Sequence, residues 1–153
     1  MSTTLMVVLE GIGPAQYPAD LDPKNPGCDY GNLIPGVARS LETLAEQLGV
    51  TPISSFHYAD PDMLRETMEF LEGERKEKIQ KVLKTQKEWH DPADGLATID
   101  ALINYLQELQ PEEARRAHPE FLFGSSVDPL LWDLRAVRSV LASINSRFHF
   151  EAM

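Results

Sequence analysis

The stretch EWHDPADG, residues 88–95, places one imidazole and two carboxylates within five positions. His90, Asp91 and Asp94 could supply a general base with two acids, or three ligands for a metal ion. Three ligands this close in sequence would reach one ion only from an extended loop. The chain contains no His-x-x-x-His or Glu-x-x-His pair, and 24 acidic residues make such a cluster easy to obtain by chance. The pattern therefore predicts no metal and no bound cofactor.

The same stretch contains an Asp-Pro pair, and this dipeptide recurs along the chain. It occurs at residues 22–23, 60–61, 91–92 and 128–129, and three of the four copies directly precede an amphipathic segment. An aspartate before a helix accepts hydrogen bonds from N–H groups that lack a helical partner, and proline suits the first helical position. The repetition favours helix capping over chemistry. Either Asp91 or Asp94 could be the cap, and capping leaves His90 unexplained.

Two further residues are candidates for a polar site with His90. Cys28 lies between Gly27 and Asp29 in a Pro/Gly-rich loop over residues 11–36, and His57 follows a short apolar segment. A neighbouring carboxylate disfavours the thiolate that a nucleophilic cysteine requires, so an incidental thiol is the favoured interpretation of Cys28. No complete phosphate-binding loop and no Gly-x-Ser-x-Gly elbow is present.

Composition limits the classes of function. The formal net charge is -10, which opposes binding to phosphate backbones and anionic lipids and predicts neither a nucleic acid nor a membrane as partner. The N-terminus lacks the basic residues of a secretory signal, and a single cysteine allows no intrachain disulfide. These features predict a cytoplasmic protein. A macromolecular partner, if there is one, is expected to be a basic protein, although acidity alone also maintains solubility.

One segment runs against the overall acidity. Six of the 14 basic residues lie between Arg75 and Lys87. They could form a basic face for an acidic partner. The acidic residues interleaved with them favour a solvated side of a helix instead.

The periodicity of apolar residues predicts a mainly helical α+β fold. Residues 4–9 are predicted to form a buried strand, the segment VTPISSFHY a second edge strand, and residues 148–151 a strand that pairs with the first. Helices are predicted over about 37–48, 61–71, 74–89, 94–110, 111–117 and 129–144, with the apolar residues Met63, Leu64, Met68 and Leu71 buried in the second of them. The expected architecture is a single domain over residues 1–153 with about five helices. The loop over residues 11–36 is expected to be ordered on the core.

No motif in the chain defines an activity. The first hypothesis is an acidic, non-enzymatic protein that acts by protein–protein binding, as an inhibitor or immunity-type protein for a basic partner or as a homo-oligomer. The alternative is a small enzyme or ligand-binding protein, with its site between the 11–36 loop and the segment from His90 to Asp94. In that alternative His90 would be the base or ligand, and Cys28 or His57 its partner.

Overall fold

The computed structural model describes residues 4–18 and 30–152 and contains a small antiparallel sheet. Its strands are β1 (Leu5–Leu9), β2 (Gly13–Pro14) and β3 (Phe148–Ala152), in the order β2-β1-β3. Val7 of β1 lies opposite Phe150 of β3. The predicted pairing of the N-terminal and C-terminal strands is confirmed.

The two longer strands bury one face against the helices. Leu5, Val7 and Leu9 alternate with half-buried residues, because successive side chains of a strand point to opposite faces. Phe148 and Phe150 face the same core and are fully buried. This face of the sheet is the floor on which the helices pack.

Six α-helices among the described residues make up most of the fold. They are α1 (Ala38–Leu48), α2 (Pro61–Met68), α3 (Glu74–Thr85), α4 (Pro92–Glu108), α5 (Pro111–Ala117) and α6 (Asp128–Ser143). α4 and α6 form the main helix pair, and α1 packs on α4. The mainly helical α+β class is confirmed.

The apolar stripe of α4 is the centre of the core. Ile99, Leu102 and Leu106 have no solvent-exposed surface. Their spacing of three and four residues places them on one side of the helix. Leu134 and Val137 of α6 are buried to the same extent, so the two helices bury their stripes in one common core.

The Asp-Pro pairs have different roles. Asp60 accepts a hydrogen bond from the Asp62 N–H at 2.9 Å, and Asp91 accepts one from the Ala93 N–H at 2.9 Å. Capping is therefore confirmed at α2 and α4. The prediction is wrong at Asp128, which is the first residue of α6 and donates its own N–H to Ser126. The pair at 22–23 lies outside the described residues.

The segment VTPISSFHY does not form the predicted edge strand. Residues Ile53–Phe56 form a short 3-10 helix, and only the following His57 makes a single parallel bridge to β3. Ile53 and Phe56 are both buried. A turn of three residues places side chains i and i+3 on one side, whereas a strand would have pointed these two to opposite faces.

The predicted burial of the next helix is also wrong. α2 ends at Met68 and buries no residue, and Met63 exposes 65% of its surface. α3 ends at Thr85 rather than at Trp89 and likewise buries no residue. The apolar stripes of these two helices therefore contribute nothing to the fully buried core.

Candidate functional site: a helical hairpin at the sheet edge

Residues 60–87 form a helical hairpin, called the hairpin below, on one side of the molecule. It consists of α2, a turn and α3, and the two helices pack mainly on each other. Gly73 joins them with φ of 69°, a left-handed conformation that only glycine adopts without steric cost. The hairpin is therefore a discrete feature added to the domain rather than a part of its core.

The two chain segments that flank the hairpin are fixed to the outer edge of β3. The Tyr58 N–H donates to the Phe150 carbonyl at 3.1 Å. On the other side, His90 and Phe148 exchange two backbone hydrogen bonds of 2.8 and 3.0 Å. Both ends of the hairpin thus extend the sheet beyond β3, which fixes its position on the domain.

A side chain also links the two ends of the hairpin directly. The Gln86 carboxamide accepts from the Ala59 N–H at 3.1 Å and donates to the Ala59 carbonyl at 2.9 Å. Both polar groups of one amide are thereby satisfied by one residue of the opposite segment. This pairing closes the base of the hairpin.

His149 ties the same two segments together from the outer face of the sheet. Only 4% of this residue is exposed, and its Nδ1 donates to the Glu88 carbonyl at 2.9 Å. Its ring lies between those of Tyr58 and Trp89, with centroids 5.2 and 4.8 Å away. Its Nε2 lies 3.5 Å from a Glu151 oxygen without forming a hydrogen bond. Trp89 therefore packs on the sheet and does not end a helix.

A groove of about 880 Å³ lies at the base of the hairpin, between its helices and the edge of β3. Its polar lining includes His57, Lys87 and His90. Met63 of α2 and Val82 of α3 supply apolar surface. The groove therefore offers an apolar wall next to polar groups, which suits the binding of a protein segment.

The two imidazoles that line the groove both have a lowered pKa. Burial lowers the pKa of His57, and nearby His149 lowers it further. Burial also lowers the pKa of His90, partly offset by the contact of its Nε2 with the Lys87 carbonyl at 3.1 Å. Since a carbonyl oxygen only accepts, the His90 Nε2 carries the proton.

Neither of the two candidate aspartates lines the groove with these histidines. Asp91 caps α4, while Asp94 is exposed in the first turn and lies outside the groove lining. Cys28 lies outside the described residues. Among the described parts of the 11–36 loop, Ala15 and Gly31 bond to β1 at the edge opposite β3, whereas His90 bonds to the far edge of β3. The proposed meeting of loop and His90 is therefore absent from the described part of the chain.

The loop itself is held by a residue that the sequence analysis did not single out. Asp133 of α6 is 4% exposed and accepts the Leu33 N–H at 2.7 Å. Burial raises the pKa of its carboxyl, and the backbone N–H groups of the loop oppose that shift. Tyr30 and Ile34 are also buried, so the described end of the loop lies on the core.

Charge divides the hairpin into two halves of opposite sign. Residues 60–72 contain five acidic residues and one basic residue, whereas residues 74–87 contain six basic residues and two acidic ones. The structure describes the whole hairpin, and within it Arg65 forms an ion pair with Asp62, both in α2. No ion pair joins α2 to α3 across it. The opposite charges of the two helices therefore remain available at the surface.

No known protein family, curated protein or solved structure matches this chain. Within residues 4–18 and 30–152, no group of three or more His, Cys, Asp and Glu side chains could hold a metal ion. In the same part of the chain no helix is both long and apolar enough to cross a membrane.

Proposed function

We propose that this chain is a protein-binding domain and that the hairpin is its contact surface. The observation that supports the proposal is the exposure of apolar side chains on an element that buries nothing. Of five large apolar residues exposed among those described, three lie in the hairpin: Met63 at 65%, Phe70 at 86% and Val82 at 40%. Exposed apolar side chains that are concentrated on one element among charged residues support a protein interaction site there.

Rigid attachment supports the same function. The flanking segments at Tyr58 and His90 are hydrogen-bonded to β3, and Gln86 closes the base. Fixing a contact surface before binding lowers the entropic cost of association. Two short helices that bury none of their residues would otherwise be costly to keep in one orientation.

The hairpin and the rest of the molecule favour different partners. The hairpin contains seven acidic and seven basic residues, so the net charge of -10 belongs to the rest of the chain. A basic protein, as an inhibitor or immunity-type function would require, is favoured by that remaining acidic surface. The hairpin itself favours a partner with apolar groups and both signs of charge.

Photo-crosslinking tests the proposal. A photoreactive amino acid replaces Phe70 in the full chain, in cells that naturally make the protein, and Gln47, an exposed polar residue of α1, is the matched control position. We expect discrete protein adducts from position 70 and none from position 47. The absence of any discrete adduct from position 70, or the same adducts from both positions, would overturn the proposal. The mass of each adduct identifies the partner.

A further inference from the structure

We propose that the hairpin binds the hairpin of a second copy of this chain, in a two-fold symmetric dimer that places α2 of each copy against α3 of the other. This inference rests on the proposed protein-binding function and names the partner. A two-fold interface brings the same patch of both subunits together, so the patch must be complementary to itself. The hairpin meets that requirement in both charge and apolar surface.

The charge of the hairpin is self-complementary. Its first half, residues 60–72, has a net charge of -4, and its second half, residues 74–87, has a net charge of +4. Crossed contacts between α2 and the partner's α3 place acidic against basic residues twice, because symmetry repeats the contact. Contacts of α2 with α2, or of α3 with α3, would place like charges together at a cost of several kcal/mol.

The apolar residues lie among these charges. Met63 and Glu66 are three residues apart in α2, and Arg75, Lys78 and Val82 follow each other at intervals of three and four residues in α3, while the exposed Phe70 lies in the turn after α2. Residues at that spacing lie on one side of a helix. Each half thus has exposed apolar surface beside exposed charge, and crossed pairing covers both at once.

A polyanion such as duplex DNA fits the hairpin less well. The six basic residues between Arg75 and Lys87 would attract phosphates. The acidic half of the hairpin lies directly against them, however. Outside the hairpin the chain has 17 acidic residues and only seven basic ones. Phosphates close to α3 would therefore also be close to acidic side chains. A second copy of the hairpin neutralises both halves, which a polyanion does not.

A charge swap tests this arrangement. The first variant carries Glu66→Lys and Glu69→Lys, which change the net charge of the acidic half from -4 to 0. The second carries Lys78→Glu and Lys81→Glu, which change the net charge of the basic half from +4 to 0. All four residues are exposed, and circular dichroism checks that each variant is folded. The matched control variant carries Glu112→Lys and Glu113→Lys on α5, which are also exposed. Sedimentation equilibrium at low salt measures the dimer dissociation constant.

We expect the wild-type chain and the α5 variant to dimerise equally well. Each hairpin variant alone should raise the dissociation constant about tenfold or more, because both crossed contacts then pair a neutral half with a charged one and lose their attraction. Mixing the two variants should restore association as a heterodimer, because one of its crossed contacts again joins a half of net charge -4 to a half of net charge +4. Restoration by the opposite swap distinguishes crossed pairing from a general loss of structure or solubility.

Several outcomes would overturn the inference. A wild-type chain that stays monomeric up to about 1 mM, where even weak association is populated, would do so. So would a dimer that the hairpin variants leave intact, a mixture that fails to associate, or a monomer that binds duplex DNA through Lys78 and Lys81. If the chain is monomeric while position 70 crosslinks to a different protein, the choice of partner fails but the protein-binding function stands. If position 70 also gives no adduct, both fail.

Discussion

The side-chain amide of Gln86 forms two hydrogen bonds with the backbone of a single residue, Ala59, on the opposite side of the hairpin base. The distances are 3.1 Å from the Ala59 N–H and 2.9 Å to its carbonyl. The amide thus bonds both the N–H and the carbonyl of one residue, as the backbone of a neighbouring strand does. The pair holds the first and last segments of the hairpin together at the groove.

Gln86→Ala removes both hydrogen bonds. We expect the free energy of unfolding to fall by about 1–2 kcal/mol, since one net hydrogen bond contributes about 1 kcal/mol. Hydrogen exchange at the Ala59 amide should become faster. Gln80→Ala, at an exposed position of α3, is the control and should leave that exchange unchanged. Equal exchange rates at Ala59 in the Gln86 variant and the wild type would contradict the linking role.

The cap of α4 distinguishes two aspartates that are three residues apart. Asp91→Ala removes the acceptor of the Ala93 N–H and should cost about 1 kcal/mol of unfolding free energy. Asp94→Ala removes only a charge near the helix N-terminus, so we expect less than half of that loss. Urea denaturation of both variants measures the difference. A larger loss of unfolding free energy from Asp94→Ala than from Asp91→Ala would show that Asp91 is not the main cap of α4.

Gly95 is a glycine in the interior of α4 that cannot become alanine without strain. A Cβ at this position would lie 2.5 Å from Cζ of Phe148 and 3.0 Å from a methyl carbon of Leu141. We expect Gly95→Ala to destabilise the fold by about 1–3 kcal/mol through overpacking. In an exposed helix interior, replacing glycine by alanine would instead stabilise the helix by about 1 kcal/mol.

Gly36→Ala is the matched control for Gly95. A Cβ at Gly36 would meet nothing within 4 Å. Thermal unfolding of this variant should therefore resemble that of the wild type. An unfolding temperature of the Gly95 variant at or above the wild-type value would show that α4 and β3 move apart at no cost.

The two groove histidines make stability depend on pH. Burial lowers the pKa of His57 and of His90, so the unfolded chain binds more protons than the folded one once the pH falls through about 6.5. Stability therefore rises with pH in this window and is lost as the solution is acidified below it. Urea denaturation at about pH 7.5 and pH 5.5, above the usual range of carboxyl groups, measures the change.

Replacing the two histidines checks the cause of this dependence. The variant with His57→Asn and His90→Asn should show a smaller loss of stability between the two pH values. An unchanged loss would assign the dependence to other groups. An increase in wild-type stability on acidification would contradict the direction that burial imposes.

Local rules were enough to predict several elements of the fold. The short, continuous apolar run at residues 4–9 predicted β1, and the repeated Asp-Pro pairs predicted where α2 and α4 begin. Period and capping act within a few residues, so the sequence displays them directly. The rule failed at Asp128, where Ser126 accepts the N–H and α6 begins at Asp128 itself, one residue earlier than it would if Asp128 were the cap.

The candidate site was visible from the sequence only in part. His57 and His90 were singled out, and both line the groove. His149 was missed because strand alternation predicts a solvent-facing side chain between two buried phenylalanines. Tyr58 and Trp89 cover that position from segments that are distant in sequence, and no local pattern encodes that cover.

The sequence by itself determined the fold class, the pairing of the terminal strands and the start of α4, because strand alternation and the Asp91 cap depend on neighbouring residues. Only the tertiary structure decided which apolar stripes are buried. Helices α2 and α4 are both amphipathic, but α6 covers Ile99 of α4 while Met63 of α2 remains exposed. Periodicity specifies that a helix has an apolar side. What covers that side depends on where the rest of the chain lies.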